Sequence, residues 1–325
     1  MRFLTRRILF YLVTLWAAIT LNFAIPRLMP GDPVQAVLSR FKGQVSPHAT
    51  QAFTKLFGLN GGSTWSQYWA YLSDLLHGNL GISFSYYPST TLQVILTSLP
   101  WTAMLIGIAT LLSFFIGTGL GILAGWRRSP WLDSLLPVTT FLGSIPFFWF
   151  GLLAAFVLAD RLHWFPLSGA TDSTTVIAFN GSFLASAAYH AILPAGTIVL
   201  SSIGGWMLGM RNMMVTTKAE DYVLLAEAKG LRPRRIMLAY AARNAILPTL
   251  ATFAMSLGFV VSGAILVEIV FSYPGLGYVL FQAVTNSDYP LMQGVFLIVT
   301  LAVLAANFLA DLAYVALDPR TRVTR

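Results

Sequence analysis

The spacing of lysine and histidine is the first test for chemistry on this chain, because these residues hold phosphate groups and metal ions. A phosphate-binding loop of the common type needs a Lys followed by Ser or Thr, and a helical zinc site needs two histidines one turn apart. Neither spacing occurs: the lysines precede Gly43, Leu56, Ala219 and Gly230, and the histidines are His48, His77, His163 and His190. The sequence therefore predicts no nucleotide loop of this kind, no metal site and no cofactor on this chain.

Two carboxylates, Glu268 and Asp311, lie inside or at the edge of long apolar stretches. Ionisable groups are costly in a bilayer, and an ion-coupled carrier usually places them deep in its helix bundle. Both residues lie instead within about a turn or two of the end of a stretch, and no GxSxG nucleophile motif occurs. We therefore predict that the chain is not an enzyme and keep both carboxylates as candidates for a solute pathway or its gate.

The densest run of charge, "TTKAEDYVLLAEAKGLRPRRIMLAYAARNAILP", covers residues 216–248. Thr217 followed by Glu220 fits a capping box, which predicts the start of a helix. Gly230 suits the left-handed position after a helix, and Pro233 is either a second stop signal or the first residue of a new helix. The pattern predicts a short helix, a sharp turn and a second helix.

Two interpretations of this run remain open. In the first, Arg232, Arg234 and Arg235 anchor an interfacial helix on anionic lipid. In the second, the short helix is a docking lever for a partner chain, because a loop that only joined two spans would need no helix punctuated at both ends.

The elements that would position these residues are membrane-spanning helices. With 56% hydrophobic and 10% charged residues, the chain is far more apolar than an average soluble domain. A helix needs about 20 mostly apolar residues to span a bilayer. Six runs of that kind cover roughly 8–28, 99–126, 131–159, 188–210, 245–270 and 290–315. The predicted fold class is an all-α polytopic membrane protein with six transmembrane helices.

The formal charge of +8 reflects topology rather than nucleic-acid binding. With the N-terminus inside, 15 of the 20 Lys and Arg residues fall in inner segments, as the positive-inside rule requires. Both termini are therefore predicted to be cytoplasmic. Cysteine is absent, so the outer loops must fold without disulfides.

Two further patterns predict packing. "TWSQYWAYLSDLLHG", in the long outer loop between the first and second spans, has apolar residues at helical spacing and predicts an amphipathic helix. Gly117, Gly121 and Gly125 recur every four residues in the second span and predict a close helix–helix contact. Prolines in or near the spans predict kinks. They are Pro137, Pro146, Pro194 and Pro248.

Five motifs in order carry a family resemblance over nearly the whole chain. They are "RRILFYLVTLWAAITLNFAIPRLMPGDP", "LLHGNLGISF", "YVLLAEAKG" followed by "ARNAILP", "VEIVFSYPGLG" and "DLAYVALDPRTR". Together they resemble the B-type permease subunit of oligopeptide and dipeptide importers of the ABC class. The resemblance implies the type I ABC importer permease fold, located in the cell inner membrane.

The same resemblance implies partners. These would be a second permease chain that forms a heterodimer, two cytoplasmic ATPase subunits that bind ATP and Mg, and an extracytoplasmic substrate-binding protein, besides membrane lipid. Residues 222–230 would be the coupling helix that lies in a groove of an ATPase. The residues expected to couple to the ATPase are Glu220, Asp221, Tyr222, Ala226, Glu227, Ala228 and Gly230.

The chain departs from the family pattern at a few positions. Leu224 stands where importers commonly carry Glu, and Asn79 stands where subfamily members tend to have Asp.

The expected cargo is a peptide. Nickel chelates and glutathione are alternatives within the family, and an ion-coupled secondary transporter is the alternative from another class.

Four segments are expected along the chain. Residues 1–30 hold the N-terminal cytoplasmic end and first span, 31–95 an extracytoplasmic loop subdomain, 96–317 a five-helix core with the coupling loop 216–243, and 318–325 a cytoplasmic tail.

Overall fold

A computed structural model describes residues 2–28, 63–127, 129–178, 180–258, 260 and 265–317. Side chains are described for these residues except 2–6, 26, 258 and 309–317. About half of the predicted outer subdomain 31–95 and the whole tail 318–325 therefore lie outside the described residues, as does the side chain of Asp311. The predicted segment bounds stay a prediction.

The described residues form twelve α-helices. They are α1 (Arg2–Leu28), α2 (Thr64–Leu76), α3 (Thr91–Trp126), α4 (Pro130–Ser144), α5 (Phe147–Ala154), α6 (Gly181–Lys218), α7 (Asp221–Ala228), α8 (Pro233–Arg235), α9 (Arg243–Gly258), α10 (Ile265–Val270), α11 (Leu276–Thr285) and α12 (Tyr289–Leu317). A π-helical segment, Ala155–Arg161, continues α5, and another, Ile236–Ala242, joins α8 to α9.

Within the described part of the chain, five helical stretches are long and apolar enough to cross a membrane, or six if one bent pair counts as a span. The prediction of an all-α polytopic protein is confirmed. The bent pair is the predicted third span, in which α4 and α5 meet at 96°. Pro146 directly precedes α5 at this break, and a proline cannot continue the hydrogen-bond ladder of the helix before it.

The described residues fall into two compact units. The first comprises those within Met1–Trp101 and Pro274–Leu304. In it, α2 packs against α1: Tyr68 is buried, its ring lies 5.1 Å from that of Phe23, and its hydroxyl hydrogen-bonds Thr20 over 2.8 Å. The predicted amphipathic helix is therefore present, with Trp65 and Trp69 on its exposed side.

Asp288 organises the outer loop of this first unit. Its carboxylate is fully buried and accepts hydrogen bonds from the Ser83 hydroxyl at 2.6 Å and the Ser85 amide at 2.8 Å. It also caps α12 by accepting from the Leu291 amide at 3.2 Å, the usual role of Asp before a helix. One carboxylate thus ties the loop before α3 to the start of α12.

The second unit comprises the described residues within Thr102–Tyr273 and Ala305–Arg325. In it, α3 packs closely against α6, and the predicted glycine face is confirmed there. A Cβ on Gly121 would lie 2.6 Å from the Met207 carbonyl oxygen and 2.7 Å from the Met210 Cβ. Gly117 and Gly125 meet α6 in the same way. Only glycine lets the two backbones approach this closely.

Candidate functional site

The charged run folds into a short helix, α7, between the end of α6 and the start of α8. The predicted capping box is wrong, because Thr217 is buried within the last turn of α6, which continues to Lys218. The N-cap of α7 is Glu220, whose side chain makes no capping hydrogen bond. Asp221 in the first turn still places a carboxylate near the positive end of the helix dipole.

The C-terminal turn of α7 is as predicted. Gly230 has φ +70°, the left-handed conformation. Its amide donates to the Glu227 carbonyl over 2.9 Å, and the Leu231 amide reaches back to the Ala226 carbonyl over 3.3 Å. These two bonds form a Schellman motif. Pro233 then occupies the first turn of α8, so it begins the second helix rather than acting as an additional stop.

Two buried side chains pack α7 against the rest of its unit. Val223 is 0% exposed and Ala226 is 2% exposed. Both belong to an apolar cluster with Met210 and Met214 of α6 and with residues of the π-helical segment. Since those methionines also contact the glycine face of α3, α7 rests on the ends of the two longest helices in the structure.

A second contact fixes the helix ends next to α7. The Lys218 ammonium donates to the carbonyl of Trp126 over 3.4 Å and lies 5.1 Å from the centre of the indole ring. Trp126 is the last residue of α3, so this cation lies at the negative end of the helix dipole. A displacement of α7 therefore meets a tied pair of long helices rather than a loose loop.

The opposite side of α7 is exposed and partly apolar. Tyr222, Leu224 and Leu225 are 38%, 50% and 55% exposed. Acidic side chains flank them, at Glu220, Asp221 and Glu227, and all three are exposed. A helix with one seated face and one open apolar face has the form of a helix that lies in a groove of another protein. Arg232, Arg234 and Arg235 are also exposed.

The structure places the expected coupling residues in two classes. Six are exposed on or beside α7, and Ala226 faces inward. Ala226 would therefore hold the helix in place rather than contact a partner. The exposed residues are Glu220, Asp221, Tyr222, Glu227, Ala228 and Gly230.

Glu268 lies in the second unit and is completely buried. The Thr102 hydroxyl donates a hydrogen bond to the Glu268 carboxylate over 2.7 Å. Burial, and to a smaller extent the Glu268 charge, raise the pKa of nearby Tyr273 to about 12. In this structure Glu268 is thus a hydrogen-bonded interior residue, and its role in a pathway or gate stays a prediction.

Sequence reasoning missed three features of this chain. Leu224 was treated as a departure from a family pattern, although together with Leu225 it forms most of the open apolar face. Asp288 was overlooked, although Asp followed by "YPLM" has the form of an N-cap signal. Ser98 lines a small cleft of the first unit together with Tyr86 and Tyr278, and no local signal marks it, because these residues lie far apart in the sequence.

The fold defines the class of the protein: a polytopic membrane protein made of helices. A family model described as binding-protein-dependent transport system inner membrane component matches residues 117–323. That match covers more than half of the chain. The chain belongs to this family and is a permease component of a transport system.

Three relatives match over nearly their full length. The chain is 34% identical to the di/tripeptide transport system permease protein DppB of Pseudomonas aeruginosa, over 99% of both chains. It is 30% identical to the oligopeptide transport system permease protein AppB of Bacillus subtilis, over 98% of both. It is 32% identical to the dipeptide transport system permease protein DppB of Escherichia coli, over 99% of both. The expected resemblance to oligopeptide and dipeptide permeases is confirmed.

Proposed function

We propose that this chain is the pathway subunit of an ATP-driven importer for short peptides. It would pair with a second permease chain in the membrane. Two cytoplasmic ATPase subunits would bind ATP and Mg and supply the energy, and an extracytoplasmic binding protein would deliver the cargo. Both termini would lie in the cytoplasm.

The observation that carries this proposal is the two-sided helix α7. Its inner face, through Val223 and Ala226, is packed on the ends of the spans, and its outer face exposes Tyr222, Leu224 and Leu225. A helix of this kind transmits force, because a push on the open face is carried into the cluster beneath it. A loop that served only as a lipid anchor would need no packed inner face.

The mechanism would be alternating access. Closure of the ATPase subunits on ATP would displace α7, and the apolar cluster would pass that displacement to α6 and α3. The bundle would then change between inward-open and outward-open states, and hydrolysis would reset it. The chain supplies the two-state element, and its partners supply the energy.

The peptide cargo is supported by the names of the relatives, which are described as di/tripeptide, dipeptide and oligopeptide permeases. Nickel chelates and glutathione are excluded as cargo if an excess of either one fails to inhibit uptake of a labelled dipeptide or tripeptide.

The turn at Gly230 provides a direct test of coupling. Replacement Gly230→Val should leave ATP hydrolysis by the assembled complex while transport falls, because a β-branched residue in the left-handed region costs on the order of 1–3 kcal/mol. A Cβ at this position would meet no atom within 4 Å, so the effect would come from the backbone alone. Peptide uptake and ATP hydrolysis are measured in the same vesicles.

The matched control for this turn is Gly230→Asn, since Asn tolerates the left-handed conformation. It should keep most of the transport activity. Equal uptake by the Val variant, the Asn variant and the wild type would show that the turn has no role in coupling.

The chain has no cysteine, so single introduced cysteines test the proposed orientation. Glu227→Cys should react with a membrane-impermeant maleimide only when the cytoplasmic side is accessible, because Glu227 is exposed on α7. Ser173→Cys, in the exposed loop before α6, should react only from the outside. Labelling of the two positions from the same side would contradict the proposed topology.

A further inference from the structure

A small cleft opens in the first compact unit beside the start of α3. It has a volume of ≈ 230 Å³ and lies between the N-terminal turns of α3, the loop that carries Tyr86, and the segment that carries Tyr278. On the proposed topology this is the outer side of the membrane. Six of the residues that line the cleft are Tyr86, Gln93, Val94, Thr97, Ser98 and Tyr278.

Ser98 is a buried polar residue at the wall of this cleft. Its exposed fraction is 6%, it lines the cleft, and its hydroxyl makes no hydrogen bond to another described residue. The hydroxyl is therefore available to donate to, or accept from, a ligand in the cleft.

Gln93 and Thr97 lie one turn apart on the same side of α3. The side-chain oxygen of Gln93 accepts a hydrogen bond from the backbone amide of Thr90 over 3.0 Å. The backbone amide of Gln93 in turn donates to the Thr90 hydroxyl oxygen over 3.2 Å. This capping box fixes the Gln93 side chain and leaves its NH₂ group available. The Thr97 hydroxyl donates to the Val94 carbonyl over 2.9 Å, so its oxygen can still accept.

The Tyr86 wall of the cleft is held in place by Asp288. The Tyr86 amide donates to the Ser83 hydroxyl oxygen over 3.2 Å, and that hydroxyl donates to the Asp288 carboxylate over 2.6 Å. Burial raises the pKa of the Tyr86 hydroxyl, and neighbouring Tyr278 and Asp288 raise it further. The phenol therefore stays neutral and can act as a donor at physiological pH.

The chemistry of the cleft selects against charge. None of the described residues that line it is Asp, Glu, Lys, Arg or His. The nearby Asp288 carboxylate is fully buried and used by Ser83, Ser85 and Leu291. A charged side chain in the cleft would lose water without gaining an opposite charge. An uncharged residue with its flanking amide groups would satisfy the donors and acceptors and cover Val94.

We propose that this cleft binds one uncharged residue of a transported peptide, with Ser98 and Gln93 hydrogen-bonding the peptide and Val94 contacting its side chain. The proposal rests on the proposed function for the nature of the cargo. It makes the cleft a specificity-determining site on the permease itself, separate from the selection made by a binding protein.

The test uses the assembled transporter, with its binding protein, carrying the single substitution Thr97→Cys. The rate of alkylation of this cysteine by a maleimide is measured with Ala-Leu-Ala, Ala-Lys-Ala or Ala-Glu-Ala present. Ala-Leu-Ala should slow alkylation, and the two charged peptides should not. Added Ser98→Ala should weaken the protection by Ala-Leu-Ala about twofold to tenfold, the loss expected for one hydrogen bond.

Ser113→Ala is the matched control, because Ser113 is a buried serine of the same helix whose hydroxyl bonds the Thr110 carbonyl over 3.0 Å. It should leave protection unchanged. Stimulation of ATP hydrolysis by Ala-Leu-Ala without any protection of the cysteine would overturn the cleft proposal and leave the proposed function intact. Equal protection by all three peptides would overturn the selection against charge. Failure of every peptide to stimulate ATP hydrolysis would remove the proposed function, and the cleft proposal with it.

Discussion

A chain carrying Leu224→Glu and Leu225→Glu is expected to reach the membrane in folded form and to lose its ATPase partners. Both side chains are about half exposed on the open face of α7, so the substitutions leave its packed residues Val223 and Ala226 unchanged. In a groove of a partner, each new carboxylate would be buried without a counter-charge, which costs on the order of several kcal/mol. Two such charges should weaken association by more than about a hundredfold.

The measurement is co-purification of the ATPase subunits with the tagged chain, together with peptide uptake. The matched control is Leu162→Glu with Leu167→Glu, which places the same charges on leucines of similar exposure, 44% and 52%, in the loop after the π-helical segment that continues α5. That control should retain the ATPases. Undiminished recovery of ATPase with the α7 variant would show that this face is not the docking surface.

The second large effect is expected at the glycine face of α3. Gly121→Ala should lower the thermal stability of the purified chain, because the added methyl group would lie 2.6 Å from the carbonyl oxygen of Met207. Overpacking of this kind typically costs about 1–3 kcal/mol. The loss should also reduce the amount of folded chain in the membrane. The measurement is the temperature at which the detergent-purified chain loses its monodisperse form.

Gly119→Ala provides a control of opposite sign on the same helix. Nothing lies within 4 Å of a Cβ at Gly119, and replacing a mid-helix glycine by alanine is favourable by about 0.5–1 kcal/mol. Gly119→Ala should therefore be neutral or stabilising while Gly121→Ala destabilises. Equal stability of the two variants would contradict the close α3–α6 contact.

The sequence predicted those features that depend on the backbone preference or the size of individual residues. Gly230 and Pro233 set the end of α7 and the start of α8 through their own backbone preferences. The turn at Gly230 was predicted from the sequence, and the helix start was one of the two alternatives that the sequence left open for Pro233. The repeat of Gly117, Gly121 and Gly125 predicted a close contact, since small residues on one face have few other uses in an apolar helix. The partner of that face, α6, could not be predicted, because no local pattern specifies which span packs where.

Tertiary contacts decided the points that the sequence left open or gave wrongly. Thr217 reads as a helix start, yet it lies inside α6, whose last turns are held by Met210 and Met214 in the cluster under α7. Pro146 was predicted to cause a kink. The size of the bend, 96°, also depends on how α4 and α5 pack against neighbouring helices, which the sequence does not specify. The cleft around Ser98 joins Tyr86 to Tyr278, nearly two hundred positions away, and no sequence pattern reports such proximity.

In the proposed mechanism, α7 couples the permease to ATPase subunits that drive peptide import. The most direct measurement is to purify the tagged chain gently from its native membrane, identify the proteins that accompany it, and measure ATP hydrolysis with and without short peptides. We expect a second permease chain and ATPase subunits, with hydrolysis stimulated by peptide. A chain that purifies alone and moves solute in vesicles under an ion gradient would contradict the claim and establish an ion-coupled carrier instead.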